Sequence, residues 1–100
     1  MVHLNFTDQA LEDIDQIAVF ISKDAPKFAG LFVEQVFEKV LPLRKHPYLG
    51  RKVPEFDRKE LRELIFGRYR IVYKIIDTDI IDIVTIHHGA QQLSDKSVFG

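Results

Sequence analysis

Residues 61–77 read LRELIFGRYRIVYKIID, and the fold turns on how they pair. Two β-rich runs, 61–66 and 69–76, flank Gly67-Arg68, which leaves room only for a tight turn, so they should fold back as an antiparallel hairpin. In the second run Tyr69, Ile71, Tyr73 and Ile75 alternate with Arg70, Val72, Lys74 and Ile76. Neighbours on a strand point to opposite faces, so Arg70 and Lys74 share one side. A third run, 80–87, follows Asp77-Thr78-Asp79 and extends the hairpin into a meander. The last two runs are apolar on both faces, which predicts helices over one side and a loop, tail or partner over the other.

Upstream, residues 46–59 carry Pro47, Gly50, Pro54 and a run of charges, the composition of a surface loop. Before them the apolar period changes from two to between three and four. Phe28, Ala29, Phe32, Val33, Val36, Phe37 and Val40 form one helical stripe, and Ala10, Leu11, Ile14, Ile17, Ala18 and Ile21 form another. Thr7 or Asp8 can cap the first helix and Pro26 suits the first turn of the second. Pro42 should kink or restart the second helix, because it lacks an amide proton and clashes with the preceding turn. Val2, Leu4 and Phe6 alternate with polar residues as in a half-buried strand. The expectation is an α+β chain, β-α-α-β-β-β, with an antiparallel helical hairpin packed on a twisted antiparallel sheet. It should form a single domain over residues 1–100, with a weakly structured tail over 91–100.

The chain has no cysteine, which excludes disulfides, thiolate metal clusters and a cysteine nucleophile. No apolar run approaches the ~18 residues of a membrane span, and the N-terminal apolar residues are too few for a secretory leader. The expected address is the cytoplasm. Net charge is −1, but residues 44–74 hold ten Lys or Arg against four acids, and the rest of the chain holds four against eleven. A basic island in an acidic molecule suggests a polyanion or an acidic partner, although acidic helices could offset it. Zinc-protease spacing, glycine-rich phosphate loops and the nucleophile elbow are all absent. His87 and His88 are adjacent on a strand, so they cannot both reach one ion, and His3 and His46 add no ligand spacing. No metal and no cofactor are expected. Arg70 and Lys74 would repel on their shared face unless an anion sits between them, or unless Glu63 and Asp82 on the neighbouring strands satisfy them. His88-Gly89 reads as the exit turn of the last strand, with glycine supplying a backbone angle few residues accept.

The segments PYLGRKVPEF, LRELIFGRYRIVYKI and VTIHHGA, in that order after a helical hairpin, resemble the RelE/ParE toxins of type II toxin–antitoxin modules, over about residues 4–93. Leu-Arg-Glu-Leu, Tyr-Arg-Ile-Val-Tyr and Ile-x-His-Gly-Ala point to the ParE-like branch. The resemblance implies a toxin neutralised by an antitoxin whose disordered C-terminal arm folds onto it, with DNA gyrase as the target, inhibited by binding. Contacts to antitoxin or target are expected from Arg51, Arg58, Arg62, Arg70, Tyr73 and Lys74; direct contact with nucleic acid stays open. The alternative is a RelE-like endoribonuclease. One version needs a strand arginine, matched by Arg70, a later arginine, which aligns with Gln91, and a C-terminal tyrosine, which residues 92–100 lack. A second version would use Glu55 as base, Arg70 on the phosphate and His88 as acid, with His87 as the register alternative.

Overall fold

The computed structural model describes residues 1–94, 96 and 98. The chain begins with β1 (His3–Phe6) and continues through α1 (Asp8–Ser22) and α2 (Pro26–Val40). A single 3-10 turn, Leu41–Arg44, leads into β2 (Arg51–Lys52), β3 (Leu61–Phe66), β4 (Tyr69–Ile75) and β5 (Ile80–His88). Local chemistry sets the helix ends where the sequence placed them. The Thr7 hydroxyl accepts from the Ala10 amide, and Pro26 opens α2 where its missing N–H is harmless. With Pro42 next in line, α2 stops at Val40 and the chain tightens into the 3-10 turn.

The five strands lie in the order β1-β5-β4-β3-β2. β3, β4 and β5 form the expected antiparallel meander, and Gly67 turns the first hairpin at φ 58°. Two features depart from the sequence reading. β1 runs parallel to β5, with His3 opposite Ile80 and Phe6 opposite Ile83, so the sheet is mixed. The long connection that a parallel pair requires runs through both helices and then through β2, β3 and β4. β2 forms inside the stretch read as loop and adds an antiparallel rung to β3.

The helices cover one face of the sheet. Ala10, Ile14, Phe32, Val36 and Val40 pack against Ile71, Tyr73, Ile81, Ile83 and Ile86. On the other face Val53 and Phe56 of the loop, with Leu93 and Val98 of the tail, close over Leu61, Val72 and Val84. Loop and tail therefore supply the second cover expected from the doubly apolar strands. Whether a helix ends the chain rests on residues 95, 97, 99 and 100, which lie outside the described residues. Among the described residues no helix is long and apolar enough to cross a membrane.

One irregularity positions the candidate site. Val72 pairs with Thr85 but Tyr73 pairs with Ile83, which leaves Val84 as the extra residue of a β-bulge. Beyond it the alternation of β5 is inverted, so Ile83 and Ile86, an odd number apart, both face the helices. The same inversion governs His87 and His88.

Candidate functional site

Arg70 sits mid-sheet on the face away from the helices and is only 6% exposed. Its Nη1 and Nη2 grip Glu55 bidentately, at 2.7 Å each, and its Nε donates to Glu63 at 2.7 Å. Glu63 is also buried and accepts from Arg51 Nε at 2.6 Å with its other oxygen. Glu55 accepts further from the Leu93 amide, and Arg70 donates to the Gln91 carbonyl. One guanidinium thus ties together β3, β4, the basic loop and the tail. Among the described residues, no buried side-chain polar atom lacks a partner.

The hydrogen bonds from Arg70 hold the Glu55 carboxyl down to about 2 from its ordinary 4.5, outweighing its partial burial. Arg70 is correspondingly raised, first by its bond to Glu55. A carboxylate held this low is a weak proton acceptor near neutral pH. The satisfied-charge reading of the sequence holds for Arg70, through Glu63, and the structure adds Glu55 as a second partner. Lys74 lies directly across from Asp82, the residue expected to balance it.

His88 is not brought to this cluster. The bulge at Val84 sets His88 opposite Tyr69, whose ring it meets edge-on at 6.0 Å. Arg70 is opposite His87, whose ring Nδ1 lies 3.4 Å from the Thr85 hydroxyl. Thr85 in turn donates to Asp13 of α1. Both histidines line a cleft with Asp13 and Gln16, whereas Arg70 and Glu55 line a cleft of about 400 Å³ with Arg51 and Arg68; the two clefts adjoin at Tyr69 and Gln91. Glu55 and Arg70 therefore meet, and His88 stands apart from them. Among the described residues no group of acids and histidines is placed to hold a metal ion.

Tyr73 is fully buried under the helices, so as it stands no partner reaches its ring. Its hydroxyl donates to the Pro47 carbonyl at 2.7 Å and accepts from the Gly50 amide at 2.9 Å, pinning the start of the basic loop. Burial raises the phenol above its usual value. Arg51 and Arg58 are more than half exposed, and Arg58 pairs with Glu60 at 3.0 Å. Arg62 is half-buried and its guanidinium lies over the Tyr48 ring. Gly89 follows β5 as expected, but for another reason. It has no left-handed angle; its amide comes within 2.6 Å of the Arg68 carbonyl, and a Cβ there would lie 3.1 Å from that oxygen.

The sequence reading named Glu55 and Arg70 together only as base and cation of the nuclease alternative, and not as an ion pair. A lone glutamate in a charged loop carries no periodic signal, and only the folding back of the loop brings it to the sheet. The pairing of Arg70 with Glu63 was readable from strand alternation and the short turn.

Comparison with known proteins agrees with this architecture. The sequence model for the ParE toxin of the type II toxin–antitoxin system parDE matches residues 4–93. A Sinorhizobium fredii protein carrying the toxin name Y4kP is 32% identical over 91 residues, covering 89% of this chain and 90% of its own length. The solved chromosomal ParDE toxin–antitoxin system from P. aeruginosa contains a chain of the same fold. It superposes with a TM-score of 0.73 at 23% identity, over 88% of this chain and 96% of that one. The matched stretch takes in the helical hairpin, the clasped Arg70 and the meander, and the chain belongs to the ParE toxin family of type II toxin–antitoxin systems.

Proposed function

We propose that this toxin acts by binding DNA gyrase and trapping it on cleaved DNA, without covalent chemistry of its own, and that a cognate antitoxin neutralises it. An antitoxin arm, disordered when free, folds on binding, and its ordering is driven by apolar and charge contacts with the toxin. A gyrase target places the action in the cytoplasm. Support for binding over RNA hydrolysis comes from one observation above all: Arg70, the cation that a nuclease would aim at a phosphate, is already held bidentately by Glu55. With that carboxyl near 2 and His88 turned to the Tyr69 ring, Glu55, Arg70 and His88 do not converge; His87, the register alternative, stands opposite Arg70 with its Nδ1 3.4 Å from the Thr85 hydroxyl.

Of the six expected contact residues, we assign direct contact to Arg51, Arg58, Arg62 and Lys74. Arg70 and Tyr73 shape the surface from beneath. Purified toxin added to gyrase, ATP and relaxed plasmid should suppress supercoiling and leave linear DNA after detergent and protease treatment, and pre-incubation with antitoxin should prevent both. The reading fails if gyrase is unaffected while messenger RNA in a translating extract is cut by wild-type toxin and spared by His88→Gln.

A further inference from the structure

The open edge of the sheet, at β2, carries a crowding of positive charge. β2 sets Lys52 directly opposite Arg62 of β3, so both side chains leave the same face. Like charges in that register repel. Lys59 brings a third cation: its ammonium lies 5.6 Å from the centroid of the Tyr48 ring, and the Arg62 guanidinium lies 4.9 Å from it. Lys52 has Asp57 at 3.0 Å, but both side chains are largely exposed, where such a pair contributes little. Among the described residues neither Lys59 nor Arg62 has a carboxylate at ion-pair distance. Arg62 instead donates from Nε to the Lys59 carbonyl at 2.9 Å and from Nη1 to the Gly50 carbonyl at 2.8 Å.

Carbonyl bonds fix the guanidinium without neutralising it. The ring does the same for both cations, because its π-electrons attract positive charge while adding none of their own. The result is a group of cations at the edge of the sheet, held together against their mutual repulsion. Bound anions would relieve that repulsion, and charge-assisted bonds to phosphate oxygens are the strongest such contacts.

We propose that Lys59 and Arg62, held over the Tyr48 ring, and Lys52, opposite Arg62 in the strand register, form a binding surface for the phosphodiester backbone of duplex DNA. A polymer suits the corner better than a single phosphate, because the cations are spread along an exposed edge rather than converging on one point. A duplex suits it better than a single strand. Single-strand sites present aromatic rings on which bases stack, and the Tyr48 ring already faces Arg62 and Lys59. The contact reads backbone and carries no base sequence. With a net charge of −1 on the whole chain, attraction is local to this edge and the affinity is modest.

The inference does not require the gyrase reading, since naked DNA tests it. Fluorescence anisotropy of a labelled mixed-sequence duplex of about 20 base pairs, titrated with the full chain, should show saturable binding whose log–log salt slope is about −2 to −3, one unit for each phosphate neutralised. Lys52→Gln and Lys59→Gln should each weaken binding about threefold and reduce the slope by about one, and the double substitution about tenfold. Lys27→Gln, on α2, should leave binding unchanged. Thermal melts of each variant separate lost contact from lost fold. The proposal is overturned by an absent anisotropy change, by a double variant that binds as wild type does, or by equal loss in Lys27→Gln. It is also overturned if single-stranded RNA of the same length, or poly-glutamate, binds more tightly than the duplex.

Discussion

The Tyr73 hydroxyl accepts one hydrogen bond from Gly50 and donates another to Pro47, and all three residues lie where the basic loop leaves the helical layer. Tyr73→Phe removes only the oxygen, yet strands an amide and a carbonyl, so unfolding free energy should fall by about 1–3 kcal/mol in urea titrations. Gly50→Ala tests the same joint from the other side. A Cβ there would stand 2.5 Å from the Glu63 carbonyl oxygen and 2.8 Å from the Tyr73 ring, and overpacking of this kind costs about 1–3 kcal/mol. Glu55 makes a prediction in pH. Its folded value of about 2 lies below the ordinary 4.5, so it contributes stability that is fully present above about 4.5 and lost as pH falls towards 2. Its side chain is only 14% exposed, so solvent screens the clasp little, and about 2 kcal/mol should disappear across that window. Stability measured against pH should flatten there in Glu55→Gln; an unchanged slope would mean the clasp does not set it.

Among the elements, the tail is held by side chains rather than by a strand partner. Leu93 is buried against Val53, Leu61, Val72 and Val84, and its amide is one of the groups Glu55 accepts. Leu93→Ala should cost about 2–4 kcal/mol, the usual range for an emptied leucine site, and should speed amide exchange in the loop around Val53. A variant as stable as wild type, with exchange unchanged, would show that the tail does not cover that face in solution. The helices and the meander were legible because their signals are local: Thr7, Pro26 and Pro42 mark ends within one turn, and Gly67-Arg68 admits only a hairpin. β1 and β2 could not be placed by such signals. An alternating run does not reveal whether its partner lies parallel or antiparallel, and two residues inside a charged loop are too few to show a period. The bulge at Val84 was equally hidden, since it belongs to the register between two strands and leaves Ile83, Val84 and Thr85 reading as uninterrupted strand. Its effect on the site is large. Counting by twos from Ile83 puts His87 on the helix face and leaves His88 on the face of Arg70; the extra residue exchanges them.

For the whole molecule, topology makes a kinetic prediction. The meander β3-β4-β5 and the pairing of α1 with α2 join near neighbours in sequence, but β1 docks beside β5 through contacts such as Asn5 with Asp82, 77 residues apart. Closing so long a loop costs entropy before any contact repays it, so local elements should assemble first and β1 should be added last. Substitutions in the two regions should then divide differently between the folding and unfolding rates. Leu4, half-buried on β1, and Ile71, buried at the centre of β4, test this within one core. Leu4→Ala should speed unfolding while leaving folding nearly unchanged, a φ-value near zero, whereas Ile71→Val should mainly slow folding, with φ of about 0.5 or more. Both substitutions should exceed the ~0.6 kcal/mol below which such ratios lose meaning. Stopped-flow chevrons on the two variants decide the matter: if Leu4→Ala slows folding and leaves unfolding alone, the parallel pair is already in place in the transition state. The N-terminal strand would then be part of the nucleus that organises the sheet carrying Arg70, rather than its last addition.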